Sequence, residues 1–459
     1  SKELRVSEFV ANVTGDTAYH HGDMSLVGAT VKMAQDFVGA NNINFLVPSG
    51  QFGSRLVGGE DAASARYIHT FVESISQLLF KEVDNSVLKY LIDDGKTIEP
   101  NTFAPILPTI LINGAEGIGT GFSTTVPKFN PIDLTNIIKT RLNGKEPDYN
   151  IKPFYKGYTG TILNANDPNI FLIYGKYQIV SETVIRITEI PVGAKHAKWI
   201  NSYKQFLSGM EKDKTIISFE ANVVHEPPIF TITLEENVLD KLIKQKLLYK
   251  KFRLVVRVST NNMHLYDRNN VIKKYNSIKD VIDDFYDYRI DVYKERKIFL
   301  IDKYEKELDI LEWKMKFIKD VIEEKIIIFK KKKSVIIDKL IELGYPKLIT
   351  NKSFKTEDND NDEDNDNDTS NEGSYDYLTS MKLFSLTEEK IEELQRLLDL
   401  KLEELNHIKT TTETQQWLIE LDEFIKAYKI WINKEPEQIK STTFGKKKPK
   451  KITKKIANV

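Results

Sequence analysis

The chain has 459 residues, too many for one ordinary domain, and this length is typical of roughly three domains. Hydrophobic residues make up 41% and charged residues 29%, as expected for a soluble globular protein with long, solvated helices. The formal net charge is −1, so bulk basicity does not indicate a nucleic-acid partner, and the absence of cysteine excludes disulfides, thiolate zinc sites and cysteine catalysis.

The first 125 residues combine helical patterns with glycine-rich turns. One helical face is predicted to carry Leu26, Ala29/Thr30, Met33 and Phe37. A second helix is predicted over residues 67–80, with a face formed by Ile68, Phe71, Ile75, Leu78 and Leu79. We therefore expect a compact helical domain with a small wing.

Residues 126–270 contain short runs rich in β-branched and aromatic residues, separated by Gly, Pro, Asn and Asp turns. Such runs predict short strands rather than helices. They cover residues 160–163, 171–174, 183–188, 229–234 and 252–258. This part of the chain is therefore predicted to be an α+β domain.

The helical pattern returns after residue 270 and dominates the rest of the chain. Apolar residues spaced alternately by three and four positions predict the seam of a coiled coil. The first stripe has this spacing and consists of Leu308, Leu311, Met315, Ile318 and Ile322. The second has nearly the same spacing and consists of Ile391, Leu394, Leu398, Leu402 and Leu405. Two long helices separated by an insert predict an antiparallel hairpin that carries a small tip domain.

Two charged segments lie near the end of the chain. The insert 355–374 holds an acidic run at residues 357–368 that lacks the glycine and the terminal glutamate of a calcium loop. We interpret it as a disordered, self-repelling linker. The basic tail 436–459 is compatible with a nuclear-import signal, with a non-specific DNA arm and with a solvated tail, and all three remain open.

Arg66 and Tyr67 are the most informative pair in the sequence. A phenol is a poor nucleophile at neutral pH, because its unperturbed pKa is about 10. A fixed cation makes it useful by stabilising the phenolate and by gripping the phosphate under attack. An arginine beside the tyrosine, after a loop of glycines and small residues, meets that need and makes Tyr67 the candidate nucleophile.

Five motifs in the first 125 residues occur in a fixed order. They are Tyr-His-His-Gly at 19–22, Phe-Gly-Ser-Arg at 52–55, Gly-Gly-x-Asp-Ala-Ala at 58–63, Arg-Tyr-Ile at 66–68 and Asn-Gly-Ala-Glu-Gly-Ile-Gly-Thr-Gly at 113–121. In order and spacing they resemble the breakage-reunion region of eukaryotic type IIA DNA topoisomerases, also called topoisomerase II. The resemblance runs over residues 1–345 and resumes over residues 376–430.

The resemblance implies an α+β multidomain fold with four parts. We expect a winged-helix DNA-gate domain at 1–105 and an α+β tower domain at 106–270. A long antiparallel coiled coil with a small helical dimerisation domain, the C-gate, is expected at 271–435, followed by the basic tail.

The resemblance also assigns roles to individual residues. Tyr67 matches the tyrosine that becomes linked to a 5′ phosphate, and Arg66 matches the arginine that steadies the scissile phosphate. His20 and His21 are placed near the DNA backbone, where imidazole hydrogen bonds would position phosphate. For the histidine pair, an ordinary polar surface remains the alternative.

Ile118 lies between two glycines and matches the family's DNA-bending isoleucine, which inserts as a wedge into a base step. Its alternative role is a core contact. The remaining DNA-binding candidates are Met24, Gln51, Gly53 and Arg55. Met24, Gln51 and Gly53 are expected to line the cleavage pocket, with ordinary loop packing as the alternative.

The resemblance further implies cofactors and partners beyond these 459 residues. Mg²⁺ and ATP are expected to be bound by upstream Toprim and ATPase domains, because the sequence shows neither pattern and no metal ligands are assigned in it. The chain begins with serine, and we expect it to be a fragment that is inactive alone. Expected partners are double-stranded DNA and a second copy bound through the C-gate, in the nucleus, with no membrane.

The implied function is ATP-dependent passage of one duplex through a transient double-strand break, which controls supercoiling and decatenation. The main alternative is a non-enzymatic, DNA-bending dimeric scaffold protein, which accounts for Ile118 and the coil but leaves the Arg66–Tyr67 surroundings unexplained. A purely structural coiled-coil protein ignores the first 125 residues altogether.

Overall fold

The computed structural model describes residues 2–93, 95–192, 199–224, 227–348, 373–381 and 386–433. Within these ranges, thirteen α-helices and several small antiparallel sheets confirm the predicted α+β class. The described residues contain no helix that is both long and apolar enough to cross a membrane. The basic tail and residues 355–372 of the acidic insert lie outside the described residues.

The N-terminal part is a helical core with a two-stranded wing, as the sequence predicted. Its elements are β1 (Leu4–Arg5), α1 (Val6–Thr17), α2 (Asp23–Ala34), β2 (His69–Thr70), α3 (Ser74–Leu79), a 3-10 helix (Glu82–Ser86), β3 (Tyr90–Asp93) and β4 (Lys96–Pro100). Strand β1 pairs with β2, and β3 pairs with β4 to form the wing.

Both helices predicted here are shorter than expected. Helix α2 ends at Ala34, so Phe37 lies beyond it and Met33 is exposed. Residues 67–73 are not helical, because their backbone groups bond to other segments: β2 pairs with β1, and the carbonyl of Phe71 accepts from the N–H of Val47 at 2.9 Å. Only Ser74–Leu79 forms the predicted helix.

A β-hairpin between two helices follows the wing. Its elements are α4 (Thr109–Asn113), β5 (Ala115–Gly119), β6 (Phe122–Val126) and α5 (Pro131–Leu142). Asn130 caps α5 by accepting from the N–H of Ile132, and Pro131 occupies a first-turn position where no backbone donor is needed. These signals set the start of α5.

All five predicted strand runs in the next part form strands. The elements are β7 (Thr161–Asn164), β8 (Ile170–Tyr174), β9 (Lys176–Ile179), β10 (Val184–Glu189), α6 (Ile200–Lys212), β11 (Ser218–Asn222), β12 (Ile229–Thr233), α7 (Val238–Lys244), α8 (Leu248–Lys251), β13 (Val255–Ser259), β14 (Met263–Tyr266) and β15 (Ile272–Tyr275). The larger sheets have the orders β11-β12-β10-β9 and β13-β8-β7, and β14 pairs with β15.

The remaining elements are helical: α9 (Ile278–Ile322), α10 (Lys333–Glu342), α11 (Asp376–Thr379), α12 (Glu388–Thr410) and α13 (Glu413–Ile432). Helix α9 starts at a capping box formed by Ser277 and Asp280. Lys401 pairs with Glu307, whereas Glu413 pairs with Lys297, so α12 and α13 run back along α9. The predicted antiparallel hairpin is confirmed.

The seam of the coil differs from the prediction at two positions. The buried members are Leu308, Leu311, Met315, Ile318, Leu394, Leu398 and Leu405, whereas Ile322 and Leu402 are exposed. Ile322 is the last residue of α9. On α12 the three-four spacing passes through Lys401 instead of Leu402, and the ammonium of Lys401 lies 5.1 Å from the ring centroid of Tyr304.

The structure also differs from the prediction at the end of the insert, residue 374. Ser374 forms an antiparallel bridge with Leu348, with backbone bonds of 2.9 and 3.0 Å, so the disorder predicted for residues 355–374 is wrong for this residue. The bridge closes the tip domain, whose core joins the end of α9 to α10 and α11.

One hydrophobic core crosses all three predicted domains. It contains Ile75 from α3, Leu111 from α4, Ile282 from α9, and Trp417 from α13. The indole N–H of Trp417 donates to the carbonyl of Ile106 at 3.0 Å. Helix α13 thus ties the base of the coil to the N-terminal part, and the domain boundaries themselves stay predictions.

Candidate functional site

Tyr67 and Arg66 lie together on the surface. The side chain of Tyr67 is 67% exposed, and the guanidinium carbon of Arg66 lies 4.9 Å from the centroid of its ring. The next residue, Ile68, is buried and packs in the core formed with α1 and α2. The phenol and the guanidinium, on two consecutive exposed residues, thus face solvent, while Ile68 anchors the chain directly behind them.

The backbone on both sides of this pair is fixed by the start of α1. The N–H of Val6 donates to the carbonyl of Ile68 at 3.0 Å, and the N–H of Ser7 donates to the carbonyl of Ala65 at 3.2 Å. These bonds bracket Tyr67. Such anchoring gives a surface side chain a defined starting position, which a nucleophile needs.

The loop that leads to Tyr67 is closely packed and depends on glycine. Gly53 has a φ of +102°, and a Cβ there would lie 2.5 Å from the backbone of Gly59. The side-chain amide of Gln35 packs directly against Gly59 and donates to the carbonyl of Phe52 at 2.9 Å. Larger residues at 53 or 59 would separate these segments.

A short polar turn closes the same loop. The backbone N–H of Ser54 donates to one carboxylate oxygen of Asp61 at 2.8 Å, and its hydroxyl donates to the other at 2.6 Å. Burial by itself raises the pKa of Asp61, but the hydrogen bonds from Ser54 outweigh it, and the net pKa lies below the ordinary value. The ionised carboxylate therefore stabilises the turn.

The structure differs from the sequence-based prediction at Arg55. The sequence predicted DNA binding, yet the side chain is fully buried. Its Nη2 atom donates to a carboxylate oxygen of Glu189 at 2.8 Å and to the carbonyl of Ile190 at 3.0 Å. A guanidinium paired in the interior is not available to a DNA backbone, so Arg55 is corrected to an internal contact.

His20 and His21 lie exposed in the loop between α1 and α2. Their ring centroids are 5.0 Å apart, and the ring of Tyr19 meets His21 edge-on at 5.5 Å. The Nδ1 atom of His20 lies 2.7 Å from the carbonyl oxygen of Ala18. This contact ties the His20 ring to the backbone of the loop.

Three further candidates lie in α2 and in the loop that leads to Tyr67. Met24 is exposed in the first turn of α2, and Gln51 is exposed at the start of the loop that leads to Tyr67. Gly53 is half-buried. These positions agree with a pocket lining but do not test it.

Ile118 is 85% exposed on strand β5, opposite Ser123 of β6. Phe122, in the same hairpin, is half-exposed, so two apolar side chains project from it. The hairpin is supported from below, where the N–H of Thr125 donates to the carbonyl of Asn262 at 2.8 Å. The alternative role of Ile118 as a core residue does not fit this exposure.

Two asparagines that the sequence analysis did not single out join the parts of the site. The side-chain oxygen of Asn113, two residues before the Ile118 hairpin, accepts from the N–H groups of Asn42 and Ile43, both at 3.0 Å. The side-chain amide of Asn42 donates to the carbonyls of Ile112, Phe129 and Phe154. In the sequence, Asn42 belongs to the polar pair Asn41-Asn42 that precedes apolar Ile43, and Asn113 opens the motif at 113–121. Neither feature indicates that the two asparagines are in contact.

Within the described residues, no group of three or more His, Cys, Asp or Glu side chains is arranged to hold a metal ion. The acidic run 357–368 lies outside the described residues.

Comparison with solved structures agrees with this geometry. The chain is similar to a crystal structure of the Plasmodium falciparum topoisomerase II DNA-binding, cleavage and re-ligation domain, with a TM-score of 0.83 and 37% identity. The match covers 94% of this chain and 58% of that one.

Curated relatives give the same result. DNA topoisomerase 2 of Arabidopsis thaliana is 38% identical over 448 residues, which is 93% of this chain and 30% of the relative. DNA topoisomerase 2 of Saccharomyces cerevisiae is 34% identical over 466 residues, 95% of this chain and 32% of the relative. The chain thus spans less than a third of the length of these relatives.

These similarities do not favour the non-enzymatic scaffold, and the predicted resemblance to eukaryotic topoisomerase II is confirmed. The family model for the DNA gyrase/topoisomerase IV A-subunit matches residues 1–423. The chain therefore belongs to the DNA gyrase/topoisomerase IV A-subunit family.

Proposed function

We propose that this chain is the DNA-breaking and rejoining part of a type II DNA topoisomerase. The observation that carries the proposal is the exposed Tyr67 ring beside the Arg66 guanidinium, on backbone fixed from both sides. A phenol and a cation presented together on a rigid surface suit attack on a phosphodiester.

The proposed reaction is a transesterification. The hydroxyl oxygen of Tyr67 loses its proton and forms a bond to a DNA phosphorus, while the bond from phosphorus to the 3′ oxygen breaks and that oxygen takes up a proton. The product is a 5′-phosphotyrosyl link. One phosphate ester bond replaces another, so rejoining the strand by the reverse step needs no external energy.

The surrounding residues are assigned to phosphate binding. Arg66 would offset the negative charge that grows on the phosphate oxygens during attack. His20 and His21 would position the neighbouring backbone through imidazole hydrogen bonds. Neither histidine is assigned as a general base.

Ile118 is proposed to wedge into a base step and bend the duplex. Its exposure on a supported hairpin suits this role, and the unstacking cost of a few kcal/mol would be offset by the contacts that bent DNA makes. Met24, Gln51 and Gly53 are proposed to line the pocket around the cleaved bond.

A double-strand break needs two copies of the chain, each cutting one strand, and we propose a homodimer that meets through the tip domain as its C-gate. Ile327, Phe329 and Ile341 are exposed apolar side chains in this tip. These side chains are available for contact with a second copy.

We propose that ATP-dependent duplex passage, with control of supercoiling and decatenation, is carried out by a complete protein in the nucleus. Mg²⁺ and ATP would be bound by domains outside the described residues. This chain would supply the nucleophile and the DNA-bending hairpin.

The experiment is to trap the covalent complex in the complete protein that contains this chain. Duplex DNA labelled on the 5′ side or the 3′ side of the break is mixed with the protein and Mg²⁺, and the mixture is quenched with detergent. We expect only the DNA labelled on the 3′ side of the break to stay with the protein, because that strand carries the 5′ phosphate. Peptide mapping should locate the link at Tyr67. A link at another residue, or no link, would overturn the proposal.

A further inference from the structure

The loop that leads to Tyr67 is held by the four-stranded sheet and by the helix that follows it. Arg55 forms a buried ion pair with Glu189, the last residue of the central strand β10. The N–H of Asn201, in α6, donates to the carbonyl of Leu56 at 2.9 Å. A contact through a side chain and one through the backbone therefore join two consecutive loop residues to this sheet-and-helix unit.

Gly58 adds a third point of attachment. Any Cβ at residue 58 would lie 2.1 Å from the indole ring of Trp199, which stands at the start of α6. The indole thus covers the loop backbone closely. Residues 55, 56 and 58 are all held by the same unit, so the loop cannot shift without moving against it.

Glu189 is itself held in place. Besides Arg55, its carboxylate accepts from the hydroxyl of Thr159 at 2.9 Å and from the backbone N–H of Ile190 at 3.0 Å. Strand β10 is paired on both sides, with β9 and with β12. The carboxylate is therefore a rigid reference point for Arg55.

The ion pair is poorly suited to a purely stabilising role. In the described structure, the Nε and Nη1 atoms of Arg55 are buried and have no hydrogen-bond partner. A buried pair of this kind costs desolvation free energy and is often no more stable than an apolar replacement. What the pair does supply is a directional contact between two parts of the fold.

The constraint on Arg55 reaches Tyr67 through a short, tight segment. The carboxylate of Asp61 binds Ser54, next to Arg55, and the N–H of Ala63 donates to the carbonyl of Gln51 at 2.9 Å. Few residues then separate this closed loop from Tyr67. A displacement at Arg55 would thus shift this loop against the backbone that the N–H groups of Val6 and Ser7 hold on either side of Tyr67.

We propose that Arg55 is a positioning residue, which through Glu189 sets the reach of the Tyr67 hydroxyl toward the scissile phosphorus. The inference rests on the proposed function of Tyr67. In this view the sheet that contains β10 and the nucleophile loop act as one body, so DNA held by one is held in register with the other. A misplacement of about 1 Å costs up to roughly 100-fold in rate, which makes such a constraint measurable.

The test measures the single-turnover rate constant of covalent-complex formation at saturating DNA in the complete protein. Arg55→Met and Glu189→Gln are expected to slow it by about 10- to 100-fold, with DNA affinity unchanged. The double variant is expected to be no slower than the slower single variant, because both remove the same contact. Arg55→Lys, which keeps the charge, should recover part of the rate.

Arg289→Met is the matched control, because Arg289 is equally buried and ion-paired, but with Asp84 of the 3-10 helix and not with a partner of the loop that leads to Tyr67. Its melting temperature should fall at least as far as that of Arg55→Met, while its cleavage rate stays near wild type. If Arg55→Met does not fold, Arg55→Lys and Glu189→Gln carry the comparison.

Two outcomes would overturn the positioning role: wild-type cleavage rates in Arg55→Met or Glu189→Gln, or an equal slowing in Arg289→Met. A parallel Tyr67→Phe variant separates this failure from that of the proposed function. If Tyr67→Phe still captures DNA covalently, the nucleophile assignment is wrong. If it does not, and Arg55→Met cleaves normally, only the positioning role is lost.

Discussion

The guanidinium of Arg296 grips both carboxylate oxygens of Asp84, at 2.6 and 2.7 Å, although 212 residues separate the two in the chain. Both side chains are buried. Arg289 binds the same carboxylate at 2.7 Å, and Glu420 of α13 binds Arg296 from the other side at 2.6 Å. The start of the long helix α9 is thus tied to the 3-10 helix that contains Asp84, which follows the loop that leads to Tyr67.

Replacing Asp84 with Asn is expected to destabilise the fold by about 3–5 kcal/mol, because two buried guanidinium groups would then share one carboxylate. Chemical denaturation measures the loss. The control is Asp302→Asn, which breaks an exposed i,i+4 pair with Lys306 on the same helix and should cost about 0.5 kcal/mol or less. Similar losses for both variants would show that the buried network is not a structural tie.

Ile118→Ala is expected to reduce DNA bending without loss of stability, since the side chain is 85% exposed and surface substitutions usually change stability by about 0.5 kcal/mol or less. Energy transfer between dyes at the two ends of a duplex measures the bend. Ile179→Ala, at a 54% exposed position on strand β9, is the matched control and should bend DNA normally. Normal bending by Ile118→Ala would contradict the wedge.

Leu398→Ala and Leu402→Ala should differ sharply in stability, although both leucines were predicted in the seam. Leu398 is buried against α9, so its truncation should cost about 2–5 kcal/mol. Leu402 is 44% exposed, and its truncation should change stability by about 0.5 kcal/mol or less. Equal effects in denaturant unfolding would favour the register through Leu402 over the one through Lys401.

Stability is expected to depend on the ionisation of Asp61. Its pKa is depressed in the folded protein, so its contribution is fully present above the unfolded pKa of about 4 and is lost as pH falls through the folded value. The melting temperature of wild type should therefore exceed that of Asp61→Asn at neutral pH, and the gap should close in acid.

Ser54→Ala removes the hydroxyl that donates to Asp61, and so should raise the pKa of that carboxyl. The melting temperature of Ser54→Ala should therefore differ less from that of Asp61→Asn than the wild-type value does. Paired melting curves of wild type, Asp61→Asn and Ser54→Ala over a pH series give the comparison. A gap between wild type and Asp61→Asn that stays constant into strong acid would contradict the role of the ionised carboxylate.

The sequence was most informative where one physical requirement dominates. The interior strands β8 and β12 were predicted correctly, because β8 is apolar along most of its length and β12 alternates buried Phe230 and Ile232 with threonines. Strands β9 and β11 were missed because they form the two edges of their sheet, where polar residues are tolerated. Tyr67 was singled out as the candidate nucleophile because Arg66 and the glycine-rich loop lie beside it in the sequence, and that role stays a prediction.

Contacts between distant segments were beyond the reach of sequence patterns. Nothing local indicates that Arg55 meets Glu189, 134 residues later, so a loop arginine was assigned to the surface. The seam prediction counted only apolar residues, whereas Lys401 occupies a seam position with its ammonium over the ring of Tyr304. Helix α2 ended early because the following residues bond to other segments, which a helical periodicity cannot reveal.

The most direct measurement is covalent DNA capture by Tyr67→Phe in the complete protein. Tyr266→Phe is the matched control, because Tyr266 is 68% exposed and Tyr67 is 67% exposed. We expect Tyr67→Phe to bind duplex DNA with near wild-type affinity but to form no covalent complex, while Tyr266→Phe forms it normally. Covalent capture by Tyr67→Phe at the wild-type level would contradict the assignment of Tyr67 as the nucleophile.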